Sequence, residues 1–392
     1  MLAALALLSL AIWTHLLAFR GGFWRADQRL PRADGHHSAT GVVAVVPARD
    51  EEAVVGEALR ALLAQEHGNL RVVLVDDHSR DRTRAIADAV AADHPGRLTV
   101  TGTEPLPPGW TGKLWALAAG VRAARAVAPD ATHILLCDAD IRMEPDTLPR
   151  LLAKAEPGVE AGRLDLVSLM VRLDDRGFWG GLLVPAFVFF FQMLYPFPWV
   201  NDPRARTAAA AGGCVLVRRD ALERAGGIEA IRGALIDDCT LAAAVKRAGG
   251  RIWLGLADSA RSLRDNGGFD GVWNMVARTA YTQLHHSPLL LIGTLAGMAL
   301  TFLVPPLLAL ALPLHGNGWA AAAGLAVWVA MGVAYSPTLR LYGRPIASGL
   351  LLPLVAALYS LMTVASALRH WRGRGGQWKG RVYPADGTAR GG

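Results

Sequence analysis

Three apolar runs in the first 140 residues each stop at polar, mostly acidic residues: GVVAVVPARDEE (41–52), RVVLVDDHS (71–79) and HILLCDAD (133–140). The runs are continuous rather than alternating, which is the pattern of strands buried on both faces of a parallel sheet. Between them, EEAVVGEALRALLAQ (51–65), DRTRAIADAVAA (81–92) and KLWALAAGVRAARAV (113–127) carry apolar residues at helical spacing, and RLTVTG (97–102) reads as a further strand. Strand and helix alternate, so the expected fold is α/β with a mixed, mostly parallel sheet. Ligands of such open sheets bind at the carboxyl ends of the strands, where the acidic residues fall.

A third acidic motif, IDDC (236–239), follows a Gly-rich segment, AGGCVLVRRDALERAGGI. Carboxylates grouped at one sheet edge need a cation, and the simplest is a divalent hard metal carrying a substrate diphosphate. Mg2+ takes one or two protein carboxylates and fills its other positions with phosphate oxygens and water. Asp138 and Asp140 lie two apart after a strand, so in extended geometry both point to one side and can hold Mg2+ or Mn2+. A D-x-D alone also describes a solvated turn; the company of the other motifs gives it weight.

Pro47, Ala48, Arg49 and Glu51 stand on the loop after the first run, and Asp76 and Asp77 on the loop after the second, where a nucleotide base and ribose would be held. Asp76 or Asp77 suits the ribose, although Asp50, Glu51 and Glu52 also complement a helix dipole with no ligand present. Lys113 enters a helix N-terminus, a place to meet phosphate. Asp237 and Asp238 open another helix; one of them can serve as a general base if burial raises its pKa, while an N-cap is the plainer use of Asp237.

The first 19 residues contain no Asp, Glu, Lys or Arg, and Arg20 and Arg25 follow at once. Basic residues after the apolar stretch rather than before it mark a retained anchor with a cytoplasmic C-terminal flank, not a cleaved signal. Three late stretches (288–313, 319–335 and 346–368) have about the length needed to cross a ~30 Å hydrocarbon layer, although Pro305-Pro306 must break or kink the first. If all three span, the basic tail RHWRGRGGQWKGR ends outside, against the positive-inside tendency, so the Pro-Pro stretch is expected to be re-entrant. The aromatic segment 177–200 is read as interfacial or groove-lining. Net charge is +7, but Arg340, Arg344, Arg369, Arg372, Arg374, Lys379 and Arg381 flank apolar segments, which fits anionic head groups rather than nucleic acid. The 3 cysteines, Cys137, Cys214 and Cys239, are scattered singly, as in a reducing compartment.

The order PARDEE, VDDHS, GK, CDAD, Gly-Gly and IDDCTL resembles the family 2 inverting glycosyltransferases with a GT-A fold, over about residues 41–287. The anchor, late spans and basic tail further resemble the hopanoid-biosynthesis-associated membrane glycosyltransferases. The resemblance implies a nucleotide-binding aspartate at Asp76 or Asp77, a metal-binding D-x-D at Asp138 and Asp140, a diphosphate-side lysine at Lys113 and a catalytic base at Asp238. The family's Q-x-x-R-W motif stands here as QLHHS, with Gln283 matching but His286 and Ser287 in the Arg and Trp places, so His285, His286 or Arg278 must substitute or acceptor handling differs. The expected function is transfer of a sugar, with inversion, from a nucleotide-diphosphate sugar to a lipid hydroxyl, in hopanoid metabolism, at the cytoplasmic face of the inner membrane. A processive polysaccharide synthase would need more spans and an aromatic acceptor platform; a non-catalytic scaffold would not need intact carboxylates in all three motifs. The expected organisation is an anchor (1–19), linker (20–40), GT-A domain (41–287), membrane segments (288–368) and basic tail (369–392).

Overall fold

The computed structural model describes residues 1–32, 38–156, 162–265, 268–373, 375, 377–378 and 381–382. Part of the expected linker, residues 33–37, and Arg374 and Lys379 of the tail lie outside the described residues. The chain divides into two compact units, one built from Gln28–Asp174 and Trp199–Arg264, the other from Met1–Asp27, Asp175–Pro198 and Asp265–Gly375.

The first unit is organised around an eight-stranded sheet. Its strands are β1 (Val42–Ala48), β2 (Leu70–Asp76), β3 (Leu98–Gly102), β4 (His133–Cys137), β5 (Ile141–Met143), β6 (Leu166–Arg172), β7 (Cys214–Arg218) and β8 (Ile252–Ser262), in the order β3-β2-β1-β4-β7-β6-β8-β5. Strands β3, β2, β1 and β4 run parallel; β7 is antiparallel to both β4 and β6, β8 is parallel to β6, and β5 is antiparallel to β8. The mixed, mostly parallel sheet expected from the continuous apolar runs is therefore present.

Every residue of β1 is buried. Helix Val55–Leu63 turns Val55, Ala58, Leu59, Leu62 and Leu63 inward, the stripe that a period of 3.6 demands. Helix Gly112–Val127 starts where the Thr111 side chain accepts a bond from Leu114 N, a cap that serves one of the unpaired N–H groups of the first turn. Its Gly120 lies against Val45 and Val75 so closely that a Cβ there would overlap both side chains. The missing methyl is what lets this helix approach the sheet and sets Lys113 at the strand ends.

Among the described residues, the second unit holds five helices long and apolar enough to cross a membrane: Leu2–Phe19, Gly177–Leu194, Pro288–Leu310, Gly318–Leu341 and Ile346–Trp371. Pro305-Pro306 does not break the third. A π-helical segment, Ala299–Leu303, precedes the two prolines. Neither proline has an N–H, and with i→i−5 spacing the carbonyls left without donors are those of Leu300 and Thr301. Ser9 Oγ donates to Leu300 O and Trp13 Nε1 donates to Thr301 O, each at 2.8 Å. The polar atoms of the N-terminal helix, with Ser9 and Trp13 each buried, thus serve the backbone groups that the prolines orphan.

Candidate functional site

The parallel pairing of β1, β2 and β4 aligns their carboxyl ends; Ala48 of β1 stands beside Asp76 of β2. The two loops that follow are tied to each other by reciprocal bonds. Asp50 N donates to Ser79 Oγ at 3.0 Å, Arg80 N to Asp50 Oδ1 at 2.7 Å, and Glu51 N to Thr83 Oγ1 at 2.7 Å. Asp50 and His78 take left-handed backbone conformations, φ 51° and 55°, a cost that non-glycine residues carry only where the surroundings hold them.

Within this frame the two aspartates of VDDHS separate. Asp77 is fully buried. Its Oδ1 accepts from Thr103 Oγ1 at 2.9 Å, and Arg49 lies 3.5 Å from its Oδ2 while donating to its backbone carbonyl. Asp76 is partly exposed and accepts a 3.4 Å bond from Ser79 N. Arg49 and Asp77 therefore brace the loops, and Asp76 is the carboxylate open to a ligand. Pro47 and Ala48 close β1 at the same edge, with Glu51 just beyond.

At the end of β4 a second cluster forms. Lys113 Nζ lies 2.9 Å from Asp138 Oδ1 and 3.1 Å from Asp237 Oδ2. Asp237 spends its carboxylate on this lysine; helix Asp237–Arg247 has no side-chain cap bond from the residue before it. Asp238 accepts from Gly212 N at 2.8 Å and from Cys239 N at 2.7 Å. A Cβ on Gly212 would stand 3.3 Å from Lys113 Nζ and 3.4 Å from Asp238 Oδ2, so glycine permits the approach.

Burial pushes the Asp238 carboxyl up, the Asp237 charge adds to it, and it settles at about 6 although Lys113 pulls the other way. Leu114, Leu117, Leu136, Val215, Ile231 and Leu241 line the cleft beside it, which gives the burial its physical origin. Burial likewise raises Asp138, opposed by Lys113. Burial also disfavours the Lys113 ammonium, but Asp138 and Asp237 outweigh it and hold the group charged, well above its ordinary range.

Across the D-x-D, Asp140 Oδ2 accepts from Ser262 Oγ at 2.8 Å and from Arg264 Nε at 3.2 Å, and Arg264 also reaches Glu51 Oε1 at 2.6 Å. Sequence reasoning missed Arg264 and Ser262. The link depends on β5, three residues long, pairing Ile141 with Ser262 of β8, and so short a strand leaves no periodic signal. Thr103, which holds Asp77, was missed for the same kind of reason: it lies past β3 with no motif around it.

Gln283 and His286 belong to the other unit and bond within it. Gln283 Nε2 donates to Tyr195 OH at 2.7 Å. His286 stacks on His370 with ring centroids 4.0 Å apart, and both His285 and His286 have left-handed backbones, φ 50° and 55°.

No group of three or more His, Cys, Asp or Glu side chains that could hold a metal occurs among the described residues. What Asp138 and Asp140 provide is two hard oxygen donors, each already facing a cation, with Asp140 buried. Such a pair matches an ion that takes one or two carboxylates and completes its shell with phosphate and water, and not a closed protein cage.

The model of the glycosyltransferase-like family 2 matches residues 39–282. Among solved structures, the chain is similar to a mannosyltransferase from Pyrobaculum calidifontis in complex with GDP-Man and Mn2+, at 19% identity over 94% of this chain and 98% of that one, with a TM-score of 0.54. It also matches S. aureus TarS 1–349 in complex with UDP-GlcNAc (16% identity, 90% and 97% coverage, TM-score 0.41) and Mycobacterium tuberculosis glucosyl-3-phosphoglycerate synthase (19%, 63% and 79%, TM-score 0.39). No curated protein sequence matches the chain. The mannosyltransferase match is one of fold, that of the GT-A enzymes. The family model covers more than half of the sequence, and its matched region contains the whole carboxylate cluster: the chain belongs to the family 2-like glycosyltransferases.

Proposed function

We propose that this glycosyltransferase is membrane-bound and moves a sugar from a nucleotide-diphosphate donor to a lipid hydroxyl, with inversion. The observation that carries the proposal is Asp238, a carboxylate held by two backbone N–H groups at the strand ends, with Lys113 bridging Asp138 and Asp237 beside it. In this reading the β1 and β2 loops hold the nucleoside, through Pro47, Ala48 and Glu51 on one and Asp76 on the other, with Arg49 and Asp77 as the brace. Asp138 and Asp140 would hold Mg2+ or Mn2+, and the ion would supply positive charge beside the diphosphate. Lys113 gives a further cation on the same side, already in place before the reaction.

Asp238 accepts the proton of the acceptor hydroxyl as that oxygen bonds to the anomeric carbon and the bond to the diphosphate breaks. A carboxylate with a pKa of about 6 is ionised at neutral pH and still basic enough to take part. One displacement on the face opposite the leaving group inverts the anomeric centre.

The apolar helices support a lipid acceptor at a membrane surface. Strands β6 and β7, which flank Gly177–Leu194 in sequence, pair in one sheet, which supports an interfacial or groove-lining reading of that segment over a single crossing. The N-terminal helix with Arg20 and Arg25 behind it supports a cytoplasmic catalytic domain at the inner membrane. The resemblance of the anchor, spans and tail supports hopanoid metabolism and a diphosphate or acceptor role for Gln283 and His286.

The test is a screen of labelled nucleotide-diphosphate sugars with purified protein, Mn2+ and a membrane lipid extract. Transfer of label to the lipid phase is expected from one donor, and its loss in Asp238→Asn. Label appearing only as free sugar, at equal rates in both proteins, would contradict the proposal.

A further inference from the structure

Arg264 has no part in the proton transfer, yet its guanidinium sits on the carboxylates that donor binding needs. Its Nε lies 3.2 Å from Asp140 Oδ2 and a terminal nitrogen lies 2.6 Å from Glu51 Oε1. Both carboxylates are 11% exposed, whereas the Arg264 side chain is 46% exposed. The cation reaches in from solvent, and its removal exposes two inward-held anions.

Asp140 is held at both its backbone and its carboxylate, and Glu51 at its backbone. Leu263 N donates to the Asp140 carbonyl at 2.7 Å and Ser262 Oγ to its Oδ2 at 2.8 Å, while the Glu51 amide is tied to Thr83. Arg264 is the member of the trio that solvent reaches, 46% exposed against 11% for each carboxylate, so the exchangeable group is the guanidinium. It cannot stay on Asp140 Oδ2 while a divalent ion binds there, because both are cations seeking the same lone pairs. Its other partner stands on the loop assigned to the nucleoside.

We propose that Arg264 is a placeholder cation: it neutralises Asp140 and Glu51 when no donor is present, competes with the divalent metal, and is released as the nucleotide diphosphate arrives. Metal and nucleotide then bind together, each raising the affinity of the other by the same factor. The inference rests on the reading of Asp138 and Asp140 as the metal pair and of the Glu51 loop as part of the donor site.

The test uses the full chain in detergent, with Mn2+ followed by the paramagnetic resonance of the free ion. Wild type, Arg264→Gln, Arg264→Lys and Asp140→Asn are titrated with Mn2+ alone, then with GDP and with UDP. Two ion pairs made by an arginine 46% exposed to solvent, lost to the competitor, correspond to a gain of about tenfold. Arg264→Gln should therefore bind Mn2+ alone about tenfold more tightly than wild type, with the nucleotide-dependent gain reduced by a similar factor, and Arg264→Lys should stay near wild type. Removing a fixed cation beside Asp140 would also tighten the metal site, but would leave the nucleotide-dependent gain unchanged, so the loss of that gain marks the placeholder. If Arg264→Gln does not fold, wild type still decides: its Mn2+ affinity must rise at least tenfold with nucleotide, and equal affinity with and without nucleotide overturns the placeholder. Equal Mn2+ affinity in wild type and Arg264→Gln, with nucleotide-dependent binding still lost in Asp140→Asn, overturns the placeholder and leaves the metal pair standing. Mn2+ binding that does not depend on Asp140 under any condition overturns both.

Discussion

Replacing Lys113 by methionine keeps the length of the side chain and removes the charge between Asp138, Asp237 and Asp238. The distances to Gly212 place Lys113 Nζ within ~7 Å of Asp238 Oδ2. At that separation and an effective dielectric of about 20, a unit charge contributes roughly 2.5 kcal/mol, or nearly two pH units. Lys113 is 19% exposed, and solvent screening trims this to about one to one and a half units. The sign is fixed: the ammonium favours the ionised form of Asp238, so without it the carboxyl pKa rises from about 6 toward about 7 to 7.5. The acid limb of kcat/KM reports the free enzyme, so it should move upward by that amount in Lys113→Met, measured with the donor that the lipid screen identifies. The plateau should fall as well, because the diphosphate loses a cation. A lower plateau with the acid limb still near 6 would refute the reasoning, since Lys113 would then touch the donor without setting the basicity of Asp238.

Three further outcomes follow from the packing and the membrane reading. Trp13→Phe leaves Thr301 O without its donor next to the prolines, and thermal unfolding in detergent should show a loss of about 1–2 kcal/mol; an unchanged transition would remove the bond from the account. Gly120→Ala should destabilise by about 1–3 kcal/mol on denaturant titration, because overlap with Val45 and Val75 outweighs the ~1 kcal/mol that alanine gains in a helix. A more stable Gly120→Ala protein would show that the helix has room to spare. Carbonate-washed membranes should retain the chain, and external protease should spare the sheet unit in intact cells; release into the wash or cleavage of that unit contradicts the topology.

The βαβ half was legible in the sequence because its signals are local. Continuous apolar runs, helical spacing between them and acids at the strand ends need no knowledge of distant partners; the choice between Asp76 and Asp77 needed the fold, and the choice of Asp238 over Asp237 came only with the family resemblance. The other half depends on pairing across long separations: β7 between β4 and β6, and β5 against β8, 122 residues apart at the Asp140–Ser262 bond. No short-range pattern encodes that pairing, and so Arg264 remained hidden among flanking arginines. The Pro-Pro stretch shows the same limit from the other side. Two prolines foretell a break, but the remedy, a π-helical turn served by Ser9 and Trp13, lies almost 290 residues away in the chain. Asp237 looked like a cap from its place before a helix; only the fold shows Lys113 taking its carboxylate.

The most direct test of the account compares Asp238→Asn with Asp237→Asn, measuring donor binding and lipid product side by side. Asparagine preserves the size of Asp238 and one oxygen, which keeps one of the Gly212 and Cys239 N–H bonds now made to separate oxygens, but it cannot take the proton of the acceptor hydroxyl. Donor affinity should persist in Asp238→Asn while turnover falls by the ~10² to 10⁴ that general-base catalysis supplies. Asp237→Asn, which loosens the hold on Lys113 but leaves the base in place, should lose less. Full turnover by Asp238→Asn, with donor bound normally, would contradict the central claim that this carboxylate activates the acceptor.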